Sequence, residues 1–235
     1  GGLLVPADNN LIIVDTTNPG VTAYGSPPVI TLSPSTASSA NVIPWKIGTT
    51  VPEGLIHVTL DGSTPTAQSP TFANLGAFSS LRTTTVKAVG IHAGLTGPVT
   101  TATFTVGDSN SNQLPDWWEQ QYGSQRANPV SVLDPTADDD GDLRNNLAEF
   151  LAGTNPNQSD AVVTPLQANS GGSITISWTS EQGRFYSVQT SLDLKTWDPV
   201  SVATLQPGSG AVMSWQDTAA GSQTKKFYRV VIVTP

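Results

Sequence analysis

The sequence predicts a mainly β protein: two small antiparallel sandwiches joined by a short helical module and preceded by an N-terminal extended strand. Segments rich in Thr, Ser and Val occur in both halves of the chain, separated by turns that use many of its 21 Gly and 18 Pro residues. Apolar residues change from an alternating to a helical period only within residues 108–160. Together these observations predict the boundaries 1–27, 28–107, 108–160 and 161–235.

The strands of the first sandwich are expected where alternating segments flank tight turns. Residues 55–60 form a predicted strand, and the Asp-Gly-Ser-Thr-Pro-Thr segment at 61–66 is the turn that follows it. Residues 83–89 and 101–106 also alternate. This strand spacing is typical of an antiparallel sandwich of about immunoglobulin size. Strands return in the second sandwich at 173–178, 186–190, 212–215 and 227–233.

Residues 1–27 contain an apolar run that neither sandwich accounts for. The segment 11–14, Leu-Ile-Ile-Val, shows no alternation, which is typical of a strand buried on both faces. Two interpretations are open. Residues 3–16 add a strand to a sheet of the next copy of the chain, or residues 1–27 fold back as the first strand of their own domain.

Two short helices are predicted between the sandwiches. The first covers residues 115–122 and is expected to end at Gly123, and the second covers residues 145–152 with Gly153 as its C-cap. The core that these helices can form is too small to be stable without a metal ion. Its expected members are Trp118, Tyr122, Leu147, Phe150 and Leu151.

The charge of the chain is concentrated in the same region. The net charge is −8, and ten of the 18 acidic residues lie within 108–160 beside only Arg126 and Arg144. The chain has no basic patch, which argues against nucleic acid as a partner. It also has no apolar run long enough for membrane insertion.

The chain has no Cys, which favours a secreted protein without disulfides. Its N-terminal sequence lacks the basic region of a signal peptide, so in a secreted protein this sequence would begin after processing.

Two segments of the helical region have the spacing of calcium loops. Oxygen-bearing residues occur at loop positions 1, 3, 5, 9 and 12 of segments 108–119 and 138–149, the spacing with which a short turn encloses a hard cation. We expect two Ca²⁺ ions, one in each loop. A set of oxygen ligands without His or Cys excludes zinc and copper. The alternative is two Asn- and Asp-rich turns that bind no metal.

The ligands follow from these positions. In each loop the position-7 residue supplies its carbonyl oxygen, position 9 binds directly or through water, and the final Glu is bidentate. The first loop has three charged ligands and the second has four, so the second is expected to fill first. The first set is Asp108, Asn110, Asn112, Leu114, Asp116 and Glu119; the second is Asp138, Asp140, Asp142, Arg144, Asn146 and Glu149.

The first sandwich resembles a known domain. The segment 56–66, followed by Val-Lys-Ala at 86–88, resembles the chitobiase C-terminal-like domain, which is related to fibronectin III. The resemblance covers residues 28–106. It implies a fibronectin-III-like, non-catalytic sandwich of the kind attached to secreted enzymes and surface proteins.

Two further resemblances cover the rest of the chain. Residues 114–119 and 151–156 resemble bacterial thrombospondin type 3 or dockerin-like calcium repeats, with Gln113 and Leu143 standing where that family usually has Gly. Segments 176–178, 186–191, 194–197 and 227–230 resemble a C-terminal domain common in secreted proteins of Verrucomicrobia and Planctomycetes. This resemblance implies an extracellular location and no particular activity.

No catalytic constellation is predicted. His57 alternates with apolar neighbours and is expected on a solvent face, and neither it nor His92 has an evident Ser or Asp partner. Glu119 and Glu149 could mimic the paired carboxylates of a glycosidase but are better explained as calcium ligands. Trp45 and Trp197, which lie near turns, are candidates for contact with glycan. Residues 157–159, Asn-Gln-Ser, form one weak glycosylation pattern.

The expected function is that of a secreted, calcium-stabilised structural protein at the cell surface. Donor-strand addition from one copy to the next does not close on itself, so it would build a fibre from identical subunits, head to tail. The alternative is a glycan-binding or accessory region of a larger secreted glycan-degrading enzyme. An exposed planar set of Trp side chains would favour the glycan binder.

Overall fold

The structure is a computed structural model. It describes residues 26–126, 129–159, 172–200, 203–220 and 225–233 in full, and the backbone alone of strands within 4–24 and 166–168. The fold is mainly β, as predicted, with two short helices among 19 strands in the described part of the chain. Neither of these helices has the length and apolar character needed to cross a bilayer.

The N-terminal segment contains three strands rather than one. Strands β1 (Leu4–Ala7), β2 (Asn10–Val14) and β3 (Val21–Tyr24) form an antiparallel sheet in the order β1-β2-β3. The central strand pairs with β1 through Leu4 and Ile13 and with β3 through Leu11 and Tyr24. Residues 3, 8–9 and 15–16 of the predicted donor segment lie outside the described residues, as do the side chains of 11–14.

The first sandwich consists of two sheets. Strands β4 (Ile30–Ser33), β6 (Ile43–Thr49) and β9 (Ala77–Ser80) form one sheet in the order β4-β6-β9. The second sheet has the order β5-β12-β10-β7-β8, with β11 also paired to β10. Its strands are β5 (Ala37–Ser39), β7 (Leu55–Thr59), β8 (Thr71–Phe72), β10 (Thr84–His92), β11 (Leu95–Thr96) and β12 (Thr100–Val106).

One pairing of this sandwich departs from the expected antiparallel arrangement. Strand β5 pairs with β12 in parallel, with Ala37 opposite Phe104. A parallel neighbour cannot be reached by a tight hairpin, and β5 and β12 are accordingly separated by most of the domain. The other pairings in the sandwich are antiparallel between named strands.

The core of the first sandwich is built around Trp45. Residues 43, 45 and 47 of β6 are buried while 44 and 46 are exposed, the alternation of a strand with one face inward. The Trp45 ring lies 5.5 Å from Phe104 and 4.7 Å from Phe78, centroid to centroid. Trp45, a candidate for contact with glycan, is therefore not available at the surface: it is 2% exposed.

His57 is also inside rather than on a solvent face. Its neighbours Ile56 and Val58 are buried together with it, and Nδ1 lies 2.8 Å from the carbonyl oxygen of Ser69. The contact comes from the loop before β8, the strand that pairs with β7. The alternation around His57 predicted a half-exposed strand and could not show that loop.

The helical module contains α1 (Asp116–Gly123) and α2 (Asn146–Ala152). The side chain of Asn145 caps α2 by accepting a 2.8 Å hydrogen bond from the N–H of Ala148, and Gly153 ends it with φ = 83°, as predicted. Gly123 is the last residue of α1, as predicted, but the C-cap is Ser124 with φ = −70°, so this helix does not end in a left-handed glycine. A Cβ at Gly123 would lie 2.2 Å from the carbonyl oxygen of Val130, so close approach explains this glycine.

The second sandwich has one three-stranded and one four-stranded sheet. Strands β13 (Leu166–Ala168), β14 (Ile174–Thr179) and β18 (Val212–Asp217) form the first in the order β13-β14-β18. In the other sheet, β15 (Phe185–Ser191) pairs with the remaining three strands. These are β16 (Asp198–Pro199), β17 (Gln206–Pro207) and β19 (Phe227–Val233).

The two sandwiches share apolar contacts. Phe185 and Leu205 belong to the second sandwich by chain, yet they are buried in the core of the first. The Phe185 ring stacks on Phe72 at 5.6 Å with an interplanar angle of 12°, and Phe78 lies 6.2 Å away. Offset aromatic stacks of this kind contribute beyond the area they bury. The joint between the sandwiches is therefore packed like a core.

Candidate metal centre

The two predicted calcium loops have the same backbone conformation. Positions 4 and 6 have positive φ in both: Ser111 (57°) and Gln113 (78°) in the first loop, Gly141 (78°) and Leu143 (75°) in the second. Three of these four residues carry a side chain in a conformation that favours glycine. The departures from the calcium-repeat pattern at positions 113 and 143 thus fall where the backbone requires a left-handed turn.

Equivalent hydrogen bonds hold the two turns. The Oδ2 atom of the first Asp accepts the backbone N–H at position 6 at 3.0 Å in each loop, from Gln113 to Asp108 and from Leu143 to Asp138. The N–H groups at positions 5 and 7 also bond the side chains at positions 3 and 5 in both loops, at 2.8–3.1 Å. The loops are therefore structural repeats of one turn, and Leu114 and Arg144 occupy the same place in each.

The second loop brings its carboxylates together around a shared space. One oxygen from each of Asp138, Asp140 and Asp142 lies within 4.8 Å of the others. Oδ2 of Asp140 and Oδ1 of Asn146 are buried and accept no hydrogen bond within the described part of the chain. Buried oxygens without donors are costly, and a cation that these oxygens coordinate would remove that cost. The second loop therefore fits Ca²⁺.

Glu149 closes the same loop from the first turn of α2. Its side chain is fully buried, and Oε1 lies 3.5 Å from the hydroxyl of Thr154. Burial of a carboxylate requires compensating partners, and a divalent ion is the strongest available to an oxygen ligand. Glu149 lies in the first turn of α2, at position 12 of the predicted loop.

The first loop is arranged differently inside. Glu119 is 2% exposed, and its carboxylate accepts hydrogen bonds from the side-chain amides of Asn110 (3.3 Å) and Asn112 (3.0 Å). Oδ1 of Asp116 instead accepts from the N–H and hydroxyl of Ser109, at 2.8 and 2.9 Å. The two Asn amides and the closing Glu thus meet, whereas Asp116 is held at the edge. Ca²⁺ binding here requires both Asn side chains to present oxygen instead of nitrogen.

Sequence reasoning missed the residue that links the loops. Leu133 is 1% exposed and packs with Leu114, Trp118 and Phe150. Its N–H donates to Oε1 of Glu119 at 2.9 Å, and its carbonyl oxygen accepts from Asn112 at 3.0 Å. The only signal in the sequence is an apolar residue in the polar stretch that precedes the second loop.

The module is attached to both sandwiches. Nε1 of Trp117 donates to the carbonyl oxygen of Leu81 in the first sandwich at 2.9 Å. Arg184 of the second sandwich donates from Nε to the carbonyl oxygen of Leu151 at 2.9 Å and from Nη2 to that of Phe150. Burial lowers the pKa of Arg184 from its ordinary value. Both contacts are made by residues in or beside the core of the module. Unfolding of the module would therefore also break its contacts with the two sandwiches.

The candidate glycan contact of the second sandwich is a different kind of surface. Trp197 is half-buried, and the guanidinium of Arg229 lies 4.3 Å from its ring centroid. Arg229 is fixed by a 2.7 Å hydrogen bond from Nε to Oε1 of Gln189. Trp178 is buried, and Trp215 packs against the core of this sandwich. Among the described residues, the Trp side chains do not form an exposed planar row.

Comparison with known proteins agrees with the fold of the first sandwich. Residues 46–104, about a quarter of the chain, match the family model described as Fn3 associated. The match supports the fibronectin-III-like character expected of this domain. A search of curated protein sequences found no match.

Two solved structures show a weak overall likeness. The chain is 10% identical to the FN1–FN3 domains of chicken CNTN1, with 96% of this chain and 69% of that chain covered and a TM-score of 0.24. It is also 10% identical to a Ca²⁺-stabilised adhesin that helps an Antarctic bacterium reach out and bind ice, with 96% and 55% covered and a TM-score of 0.19.

Proposed function

We propose that this chain is a secreted, non-catalytic structural segment in which Ca²⁺ keeps the helical module folded between two β-sandwiches. One observation carries the proposal. The second loop gathers three carboxylates, and buried oxygens of Asp140 and Asn146 that lack donors, at the positions where a calcium loop places its ligands.

The position of the module gives calcium a structural consequence. The module core consists of Leu114, Trp118, Leu133 and Phe150 with a few half-buried neighbours. So small a core cannot stabilise a domain alone, and metal binding supplies folding free energy to such modules. Because Trp117 and Arg184 tie the module to both sandwiches, the ion would stiffen the whole joint.

Extracellular location is supported by chemistry. The chain has no Cys, and calcium loops of a wide range of affinities are filled outside cells, where calcium is plentiful. The match to a fibronectin-III-associated family supports a non-catalytic role for residues 46–104. Among the described residues, His57 is held in the core by Ser69 rather than presented to a substrate.

Calcium-dependent unfolding tests the proposal. Calcium at about 100 times its dissociation constant should stabilise the fold by about 2.7 kcal/mol, which corresponds to a rise of about 5–10 °C in Tm relative to EDTA. Asp140→Ala should remove most of that rise. Asp61→Ala, in a turn of the first sandwich where the carboxylate bonds Ser63, should lower Tm but keep the calcium-dependent rise. Equal Tm values in calcium and EDTA for the parent chain would exclude the calcium role.

Head-to-tail assembly into a surface fibre is the proposed biological use of this segment. The apolar strand β2 is the candidate donor, and its sheet pairs with neither sandwich in the described part of the chain. Since β2 pairs with both β1 and β3, donation would exchange these local partners for an edge strand of the next copy. The partner is therefore a second copy of the chain, bound through residues 3–16.

Electron microscopy distinguishes assembly from a monomeric spacer. The full chain in calcium should form fibres, and a chain lacking residues 1–16 should give single particles. Ile12→Lys, which places a charge in β2, should also abolish fibres, whereas Leu75→Lys on an exposed loop should not. Single particles from the full chain would overturn the assembly proposal and leave the calcium proposal standing.

A glycan-binding accessory role is the second candidate. The half-buried Trp197 with Arg229 over its ring is the observation in its favour, because sugars bind beside aromatic rings and fixed polar groups. Binding of the parent chain on a glycan array, lost in Trp197→Ala but retained in Leu192→Ala, would support it. An array on which the parent chain binds no glycan would exclude it.

A further inference from the structure

We propose that two arginines tune the second calcium site in opposite directions: Arg126, acting through Asp139, positions the ligand Asn146, whereas Arg144 occupies the ligand Asp142 and competes with the ion. This inference rests on the proposed calcium function of the second loop. Neither Arg126 nor Asp139 occupies a ligand position in the loop, so the sequence spacing gives no reason to single them out.

The orientation of the Asn146 amide is determined by two acceptors. Nδ2 of Asn146 donates to Oδ2 of Asp139 at 2.6 Å and to the carbonyl oxygen of Asp134 at 2.7 Å. Rotating the amide by 180° would place its oxygen against two oxygens that cannot donate, so only one orientation is stable. In this orientation Oδ1 is buried without a donor and is available to a cation.

Asp139 is itself held by Arg126. Nη2 of Arg126 forms an ion pair with Oδ2 of Asp139, the same oxygen that accepts from Asn146. Arg126 follows α1, the helix that begins inside the first loop, so this pair connects the two loops. Groups that orient metal ligands from outside the coordination sphere commonly alter affinity by 10- to 100-fold.

Arg144 makes the opposite kind of contact. Its Nη2 lies 2.5 Å from Oδ2 of Asp142, a carboxylate whose side chain is only 4% exposed. The other oxygen, Oδ1, accepts the backbone N–H of Arg144 at 2.9 Å. A cation that takes Asp142 as a ligand must therefore share or displace the guanidinium. This cost is part of the binding free energy.

Substitution of each arginine by glutamine separates these roles from simple charge. Both changes remove one positive charge near the second site, and charge alone would strengthen Ca²⁺ binding in both variants. The proposed roles predict opposite results: Arg144→Gln binds Ca²⁺ more tightly, by several-fold, and Arg126→Gln binds it about 10-fold more weakly. Because Asp139→Ala already removes the acceptor through which Arg126 acts on Asn146, adding Arg126→Gln to it should cause no further loss.

Calcium titration of the full chain by NMR provides the test, with the amide signal of Gly141 reporting the second loop alone. Arg126→Lys keeps the charge and serves as the conservative control, with affinity near that of the parent. Tighter binding in both glutamine variants would overturn the positioning role of Arg126, and weaker binding in Arg144→Gln would overturn the competing role of Arg144. Either result would leave the calcium function intact.

Failure of the calcium function itself would look different. If the parent chain shows no calcium-dependent change at Gly141, the proposed function fails. The positioning role of Arg126 is then tested through the side-chain NH₂ signals of Asn146 in the metal-free protein. Slow exchange of these hydrogens with water in the parent, and fast exchange in Arg126→Gln and Asp139→Ala, would support the role. Identical exchange rates in all three proteins would overturn it.

Discussion

Arg184 reaches from the second sandwich to the carbonyl oxygen of Leu151, which its Nε approaches to 2.9 Å. Leu151 is in the last turn of α2, where backbone carbonyls have no partner within the helix. A cation at this end of a helix also interacts favourably with the helix dipole. One side chain thus completes the C-terminus of α2 and fixes the module to its neighbour.

Replacing Arg184 by Met should loosen this attachment. The change leaves the carbonyl oxygens of Phe150 and Leu151 without their donors, and hydrogen bonds from charged groups contribute about 1.5–3 kcal/mol. We expect a loss of about 2 kcal/mol in urea unfolding. Arg229→Met, which removes an arginine stacked on Trp197 at the surface, should lose less than about 1 kcal/mol. Equal losses of unfolding free energy in the two variants would show that the contact of Arg184 with α2 stabilises the fold no more than the surface contact of Arg229 does.

Glycine at position 143 should strengthen the second loop. Leu143 is 94% exposed with φ = 75°, so its side chain contributes little packing while its backbone conformation is strained. Leu143→Gly should stabilise the protein by about 1 kcal/mol and increase calcium affinity. Leu75→Gly is a matched control, because Leu75 is also exposed and has φ = 61° but lies in the first sandwich. It should raise Tm without changing calcium affinity.

The second loop should bind calcium before the first. It has four predicted charged ligands and buried oxygens that lack donors in the described residues, whereas Glu119 of the first loop already accepts hydrogen bonds from three N–H donors. A calorimetric titration should show two steps. Asp138→Asn should weaken the tighter step and Asp108→Asn the weaker one. If Asp108→Asn instead weakened the tighter step, the first loop would bind calcium first. The donor-free oxygens of the second loop would then not determine the order of binding.

Stability at acid pH should depend on Asp217. Burial raises the pKa of Asp217, but hydrogen bonds from Lys226, the N–H of Ala219 and the hydroxyl of Tyr228 outweigh it, so the pKa falls below the ordinary 3.8. Because the folded pKa is depressed, this group stabilises the fold above about pH 4 and loses its contribution as the pH falls through the folded pKa. Asp217→Asn should flatten the acid limb of the stability curve measured in EDTA. An unchanged limb would assign that pH dependence to other carboxylates.

Elements that depend on residues close together in the chain could be predicted from the sequence. The bounds of β19 were predicted as Phe227–Val233, and α2 with its Gly153 cap follows from a capping residue and a left-handed terminator. The mainly β fold class is confirmed for the same reason, since alternation and turns are local properties. The calcium ligands stay a prediction, although their positions in both loops agree with the spacing.

Long-range packing accounts for what the sequence did not show. Alternation identifies residues that share a face but not which face is covered, so His57 was predicted at the surface and is buried, and the candidate glycan contact Trp45 is buried as well. Arg184 contacts α2 from 33 residues away, and Leu133 lies between loops that spacing treats separately. The parallel pairing of β5 with β12 depends on how the whole domain closes.

The stack of Phe185 on Phe72 has a mechanical consequence. Pulling or bending the two sandwiches apart would expose both rings and the neighbouring Phe78 to water. A joint of this kind yields abruptly at a threshold load, unlike a flexible linker, which stretches gradually. Under tension the two sandwiches would therefore keep a fixed separation until that contact breaks.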